Sequence, residues 1–470
     1  MTVDRTVETG VQPGPARATD SPALEFRPGR WIANWDAENK EQWETAGRAI
    51  ARRNLNWSIF AEFLGFVVWQ LWSIVVVQLP AAGFTFSTSE IFWLISMPSL
   101  VGATLRIPYT FMVPRFGGRN WTIVSALLLL IPSTGLALCV SNPETPFGVM
   151  LLVAALAGFG GGNFASSMAN ITFFYPAREK GWALGLNAAG GNLGAAVAQL
   201  AVPIVITLLA AGTVNLPMAG WMWVPFILLA AFGAFKHMNN LTSAKGDVAG
   251  SVAALKEPHL WIMALLYIGT FGSFIGFAGV FPKLIKDYFP GFSTIGVGTV
   301  ALSLAFLGPL VGSLARPYGG RMADRMGGAR MTVSAFAAMA VITLTMVWTL
   351  PLKNFLLFLV LFLMLFTASG FGNGATYRMI PVIFATSSRA ARKGASSVAT
   401  QRLASSALGL ISAIGAYGGF VIPQVLNASS SASGSYTPAF YGFVGAYVLM
   451  LVVCWACYIR KAGRNAMGHI

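Results

Sequence analysis

The segment Leu105-Arg-Ile-Pro-Tyr109 is followed by Pro114-Arg-Phe-Gly-Gly-Arg119, which places Arg106 inside an apolar run of about Ile91 to Val113. The pattern recurs as Leu314-Ala-Arg316-Pro-Tyr318 with Arg325-Met-Gly-Gly328 after it. In both copies the second arginine comes nine residues after the first, and Gly-Gly begins two residues later. The copies are 210 residues apart and run in the same direction, so the chain reads as a duplicated unit with one cation embedded in each half.

Working outward, the 470 residues are 56% hydrophobic and only 10% charged. Soluble domains carry about 25% charged residues, so many apolar runs of helical length point to an all-α, polytopic membrane protein. The net charge of +15 does not indicate nucleic acid, because the cations flank apolar helices and form no basic domain. Twelve spans are expected, at about 55–79, 88–113, 121–140, 146–174, 182–211, 220–236, 259–282, 296–317, 329–350, 354–380, 395–425 and 437–459. With the N-terminus inside, 24 of the 31 lysines and arginines fall in cytoplasmic tails and loops. The positive-inside rule then makes both termini cytoplasmic. No cleavable leader is visible in the polar first fifty residues.

The chain divides into a tail with an interfacial helix (1–53), a six-helix half (54–236), a cytoplasmic linker (237–258), a second six-helix half (259–460) and a short cytoplasmic tail (461–470). Residues 1–30 read as disordered. Trp31, Trp35 and Trp43 suit a helix lying at the membrane surface, and a solvated helix is the alternative. Cys139, Cys454 and Cys457 sit in or beside apolar segments. No metal or cofactor is expected, and no catalytic constellation suggests an enzyme. A monomer is expected.

An arginine inside a membrane costs about 2.5–3.5 kcal/mol even on lenient scales, so it faces a cavity and has a partner. Of the 16 acidic residues, only Glu62 and Glu90 lie near a span, and both read as end residues. Glu62 is expected at the cytoplasmic end, beside Arg53. The simplest partner for Arg106 and Arg316 is then an anionic substrate, held by the planar guanidinium fork. Backbone carbonyls or Tyr109 are the alternative partners for Arg106. Arg316 reads as late in its span and able to snorkel, as do Arg378 and Arg402.

Small residues line two further spans. Gly190, Gly191 and Gly194 fall in Asn187-Ala-Ala-Gly-Gly-Asn-Leu-Gly-Ala195, and Gly415, Gly418 and Gly419 fall near the eleventh span's middle. Close helix packing explains them. Asn192 is open between bonding a neighbouring helix and holding an anion's oxygen. Asp324 and Arg325 in the loop Gly319-Gly-Arg-Met-Ala-Asp-Arg-Met-Gly-Gly328 read as a latch between helix ends.

The parallel duplication resembles the major facilitator architecture, which places substrate between the halves near the midplane. The motifs resemble, more narrowly, the nitrate/nitrite porter branch of that superfamily, of NarK/NarU type. The matching stretches are Arg52-Arg-Asn54, Leu105-Arg-Ile-Pro-Tyr-Thr-Phe-Met-Val-Pro114, Asn163-Phe-Ala-Ser-Ser-Met-Ala-Asn-Ile171, Ala183-Leu-Gly-Leu-Asn187 and Gly269-Thr-Phe-Gly-Ser-Phe-Ile-Gly-Phe277. The resemblance implies that Arg106 and Arg316 clamp nitrate and that Phe164 and Phe271 stack on it. It also implies a hydroxyl donor in Tyr267 and the signature asparagine in Asn192. Two departures stand out. The second glycine signature, Ala413-Ile-Gly-Ala-Tyr-Gly-Gly-Phe420, lacks an asparagine and reads as close packing without a polar contact. The connection Phe289 to Thr299 is longer than expected.

The expected activity is nitrate/nitrite exchange across the bacterial inner membrane by alternating access. Two unpaired cations would repel in the empty carrier, and one anion would offset that. The rival readings are a proton–nitrate symporter using Glu62, an organic anion or phosphate antiporter, and a non-transporting anion sensor.

Overall fold

The structure is a computed structural model that describes residues 24–208, 214–297, 300–392, 394 and 396–460. The side chain of Arg402, the tail 461–470 and most of the stretch expected to be disordered lie outside the described residues.

Eleven helices among the described residues are long and apolar enough to cross a membrane. In chain order, α1 is Lys40–Val75, α2 Thr88–Phe116, α3 Gly118–Cys139, α4 Phe147–Phe174, α5 Ala177–Leu208, α6 Met218–His237 and α7 Pro258–Tyr288. After α8, Leu307–Met326, come α9 Gly328–Leu352, α10 Phe355–Thr386, α11 Leu403–Ser433 and α12 Thr437–Ile459. The helix left out of the eleven is α8, whose 20 residues include Arg316, Arg321, Asp324 and Arg325. Its charge, not its length, sets it apart.

Local chemistry sets several boundaries. Ser87 and Glu90 close a capping box at the start of α2: Glu90 N donates to Ser87 Oγ (3.3 Å) and Ser87 N donates to Glu90 Oε2 (2.8 Å). At the other ends of α2 and α8, Gly117 and Gly327 adopt φ of 87° and 91°. These conformations are open to glycine and strained for other residues. The repeated Gly-Gly therefore makes the same turn in each half. The offset of 210 residues is a structural repeat as well as a sequence one.

The eighth span differs from the expected 296–317. Ile295–Val297 (β4) and Val300–Leu302 (β5) pair as an antiparallel hairpin, because a Gly-interrupted, β-branched run suits a short ribbon better than a helix. Ser303 Oγ then accepts from Ala305 N (3.4 Å) to start a turn leading into α8. The helix is displaced along the chain, and Arg316 is its tenth residue of 20, not a late one.

The N-terminal segment also differs. Phe26–Arg27 (β1), Trp31–Ile32 (β2) and Asn240–Leu241 (β3) form one small sheet, with β2 and β3 parallel. Asn39 caps the following helix, its side chain accepting from Gln42 N (3.1 Å). That helix runs without a break into the first span. Trp43 is fully buried, stacks edge-on to Tyr175 at 5.5 Å and donates Nε1–H to Glu179 (3.0 Å). Trp35 packs on Phe174 at 5.4 Å. These indoles are inside the protein, so they do not serve as a lipid-surface belt.

The two sets of six helices are joined by hydrogen bonds at the end opposite the termini. Lys286 Nζ donates to Val77 O (2.5 Å), Gln424 to Ser96 (2.7 Å), Asn427 to Ser89 (3.1 Å) and Gln199 Nε2 to Ala278 O (2.7 Å). There, Tyr436 also donates to Asp287 (2.6 Å). Burial, together with that carboxylate, holds the Tyr436 hydroxyl protonated well above the usual phenol range.

Candidate anion site at the centre of the bundle

Arg106 is fully buried on α2. Its Nε donates to Gly161 O on α4 (3.1 Å), and its Nη1 donates to Ser412 O (3.0 Å) and Ser412 Oγ (2.9 Å) on α11. The arginine thus ties the first six helices to the last six. Two of its acceptors are backbone carbonyls, as the alternative reading allowed. Tyr109 is not among its partners: that ring packs edge-on to Trp121 at 4.9 Å. The contact with Ser412 corrects the expectation that α11 supplies only close packing.

The guanidinium is flanked by rings. Its central carbon is 4.5 Å from the Phe164 centroid on α4, 5.0 Å from Phe271 on α7 and 5.5 Å from Trp69 on α1. Arg316, on α8, approaches the same Phe164 ring at 5.9 Å and the Tyr377 ring on α10 at 5.3 Å. Tyr267 stacks on Phe271 at 5.4 Å and 18°, and its hydroxyl neighbours Arg316. Five of the six residues singled out in the sequence, Arg106, Arg316, Tyr267, Phe164 and Phe271, therefore meet in one cluster. Each arginine lies beside aromatic faces that attract cations.

Three donors in this cluster have no hydrogen-bond partner among the described residues: Arg106 Nη2, Arg316 Nη1 and the Tyr267 hydroxyl. A buried donor without an acceptor costs about 1–3 kcal/mol, more when charged. Three of them converging is the arrangement an oxygen-rich anion would relieve. Asn192, the sixth residue, is buried on α5 with neither amide atom bonded among the described residues. No contact places it in the cluster. The Phe164 and Phe271 rings stand 6.2 Å apart at 26°. A flat anion between two ring faces needs about 7 Å, twice an ordinary carbon contact, so the rings must part for it to enter between them.

Glu62 is the largest departure from expectation. It is 1% exposed, the 23rd of the 36 residues of α1, and not at a cytoplasmic end. It does not pair with Arg53, whose Nε and Nη2 donate to His237 O (2.8 Å) and Asn239 Oδ1 (3.0 Å). Instead Ser167 Oγ and Asn187 Nδ2 (2.6 Å) donate to Glu62 Oε2. Arg106 and Arg316 act on its carboxylate at longer, electrostatic range, with no ion pair closed between them. The sequence reading missed Ser167, Asn187, Tyr377 and Ser412 as neighbours of the site, and it carried Glu62 only in the rival symport reading, at the wrong depth. Ser167 lies in a quoted motif, but no pattern marks it as facing a carboxylate on another helix.

The signature glycines act through packing. A side chain at Gly191 would meet Glu62, and one at Gly194 would meet the Phe63 carbonyl. One at Gly415 would meet the Tyr267 ring, and one at Gly418 the backbone of Gly272. Gly190 faces only the Ile59 side chain, and Gly419 faces Ser99. These glycines bring α5 onto α1 and α11 onto α7, which places Glu62 and Tyr267 where they are.

Asp324 pairs with Arg378 across from α8 to α10. The expectation paired Asp324 with Arg325 as a latch; the ion pair shown among the described residues is Asp324 with Arg378. This pair is partly solvent-exposed, so Asp324→Asn should change unfolding free energy by less than about 1 kcal/mol. Thermal melts of the purified protein check this.

A Major Facilitator Superfamily profile matches residues 59–423. The chain is 42% identical over 452 residues to the nitrate/nitrite transporter NarU of Escherichia coli strain K12, covering 92% of this chain and 96% of that one. It is 37% identical over 462 residues to the probable nitrate/nitrite antiporter NarK2 of Thermus thermophilus, covering 94% and 99%. Among solved structures, the nucleoside transporter NupG superposes with a TM-score of 0.59 at 12% identity, covering 86% of this chain and 99% of that one, a likeness of fold alone. Matched along nearly its whole length, the chain belongs to the major facilitator superfamily and, within it, to the NarU/NarK family of multi-pass membrane transporters.

Proposed function

We propose that this protein exchanges nitrate and nitrite across the bacterial inner membrane by alternating access, with the anion held between Arg106 and Arg316. The observation that carries the reading is the convergence of Arg106 Nη2, Arg316 Nη1 and the Tyr267 hydroxyl, all unbonded among the described residues, around the Phe164 ring. The names of the NarU and NarK2 relatives support the choice of anion and, for NarK2, of antiport.

Each residue has a physical role in the cycle. The anion's oxygens accept from the two guanidinium groups and from Tyr267, while the Phe164 and Phe271 faces select a flat ion over a tetrahedral one. Nitrite keeps the charge and one edge of two oxygens, so it suits the same forks. Asn192 contributes an amide donor once the site is loaded. Anion binding draws Arg106 and Arg316, one on each side of the interface, toward one charge. It competes with the Arg106–Ser412 bonds that tie the halves together here. Closure at the end opposite the termini, through Lys286 and Gln424, fits one state of that cycle. Both termini are assigned to the cytoplasm from the loop charges, and the carrier is assigned as a monomer.

Counterflow in proteoliposomes tests the proposal. Vesicles loaded with nitrite should take up external nitrate at least tenfold faster than vesicles lacking any anion of this class. Phosphate and oxalate should not compete. Competition by either would favour an organic anion or phosphate carrier.

A further inference from the structure

We propose that Lys286 is an outer capture site for the anion, at the mouth of the transport path opposite the termini. It holds nitrate before the arginine site receives it. This rests on the nitrate reading above and adds a second station to it.

Cations are scarce at that end of the bundle. Among the described residues, only Lys283, Lys286 and Lys353 lie there. The first two line a cavity of about 160 Å³ between the halves, faced by Val77, Phe84 and Thr88 on one side and by Lys283, Lys286 and Asp287 on the other. A water molecule's share of the liquid is about 30 Å³, so the cavity admits a small ion with part of its hydration. A second chamber of about 290 Å³ shares Thr88, Lys283 and Asp287 with the first and adds Tyr288.

The two lysines differ in their partners. Lys283 Nζ donates to both Asp287 oxygens (3.0 and 2.8 Å), and Tyr436 donates to the same carboxylate (2.6 Å). That acid is satisfied, and its charge is cancelled locally. Lys286 Nζ donates to a neutral acceptor, Val77 O (2.5 Å). An ammonium has three donors, and this is the one acceptor shown for them among the described residues. The charged groups lining the two chambers sum to +1, and the uncancelled charge is on Lys286. The Tyr288 hydroxyl, beside the second chamber, is a further donor with no partner among the described residues.

Arg106 and Arg316 are too far away to recruit an anion to this mouth. Lys286 lies fifteen residues along α7 from Phe271, which is about 22 Å of helix. The Debye length is about 8 Å at physiological salt, so capture needs a local cation to concentrate the anion. An anion on Lys286 also competes with Val77 O, and so loosens a bond that closes the mouth.

The test compares right-side-out and inverted membrane vesicles loaded with nitrite, from a host lacking other nitrate carriers and nitrate reductases. Lys286→Gln should lower kcat/KM for nitrate about tenfold in right-side-out vesicles at low ionic strength, and about twofold or less in inverted ones. Lys286→Arg should keep most of the wild-type value at both faces. Nitrate affinity of purified Lys286→Gln should match wild type. A lysine that only bolts the mouth shut gives the opposite sign: its loss favours the outward-open state and raises kcat/KM at that face. A rise there, or no change, overturns the proposal. An equal fall at both faces, or weaker binding by the purified variant, overturns it as well, since either marks damage to the central site. Should Lys286→Gln not fold, wild type decides through its salt dependence. Added potassium gluconate should lower kcat/KM more steeply at the outer face than at the inner one, and equal slopes overturn capture. Absent wild-type exchange would instead remove the nitrate reading.

Discussion

Arg106→Lys should lower nitrate affinity and counterflow by at least about 100-fold. Lysine keeps the charge but has one compact ammonium in place of five donors in a plane. The native side chain spends Nε on Gly161 O and Nη1 on Ser412, and keeps Nη2 free beside the Phe164 ring. One ammonium cannot hold two helices and an anion together. Each charge-assisted hydrogen bond contributes about 1.5–3 kcal/mol, so the loss of two corresponds to about 3–6 kcal/mol. Arg316→Lys should be milder, at about tenfold or more, because among the described residues Arg316, unlike Arg106, shows no bond to a neighbouring helix's backbone that is lost along with the clamp. Nitrate titration followed by Trp69 fluorescence, 5.5 Å from the Arg106 guanidinium, would measure affinity alongside counterflow. Normal transport by both lysine variants would rule out the bidentate clamp.

Gly194→Val should abolish accumulation of folded protein, while Gly190→Ala should be tolerated. The two glycines sit in the same motif and differ in what a side chain would strike. At Gly194 the obstacle is the Phe63 carbonyl on α1, which is backbone and cannot turn aside, with the Phe66 Cβ at 3.0 Å behind it. At Gly190 it is the Cγ2 methyl of Ile59, a side-chain atom that yields through a χ1 change and needs no backbone shift. Overpacking costs about 1–3 kcal/mol where neighbours can shift, and more where they cannot. At Gly194 the loss also reaches the site, because α5 carries Asn187, the Glu62 partner. The yield of monodisperse protein from membranes, measured by size-exclusion chromatography, reports both outcomes. Full recovery of Gly194→Val would show that the α1–α5 contact gives way to a side chain.

Much of this protein was legible one residue at a time. The apolar runs, the Arg106/Arg316 repeat and the Gly-Gly turns at Gly117 and Gly327 are local patterns, with consequences set by hydropathy and by backbone sterics. The aromatic residues Phe164, Phe271 and Tyr267 came from motif resemblance, and they converge in space because the motifs lie on facing helices. The start of α8 was misread because an apolar run bounded by glycines serves a ribbon as well as a helix, and only pairing between Ile295–Val297 and Val300–Leu302 separates the two. The tryptophans near the N-terminus were misread for a similar reason. An amphipathic ring suits a lipid surface or a protein groove equally, and Tyr175 and Glu179, over 130 residues away, decide for the groove.

Glu62 marks the boundary most clearly. The sequence determined that two cations are embedded in the membrane region and that carboxylates are scarce there. It could not determine depth, because a residue's position along an apolar helix is fixed by how far that helix extends beyond the bilayer at each end. The helix from Lys40 to Val75 is 36 residues long, well beyond the roughly 20 needed to cross a membrane, and this length moves Glu62 from its expected end position to the core. Which groups then face it, Ser167 and Asn187 at contact and Arg106 and Arg316 at longer range, depends on the rotation and packing of four other helices. That is tertiary information, set by the glycine contacts that bring those helices together.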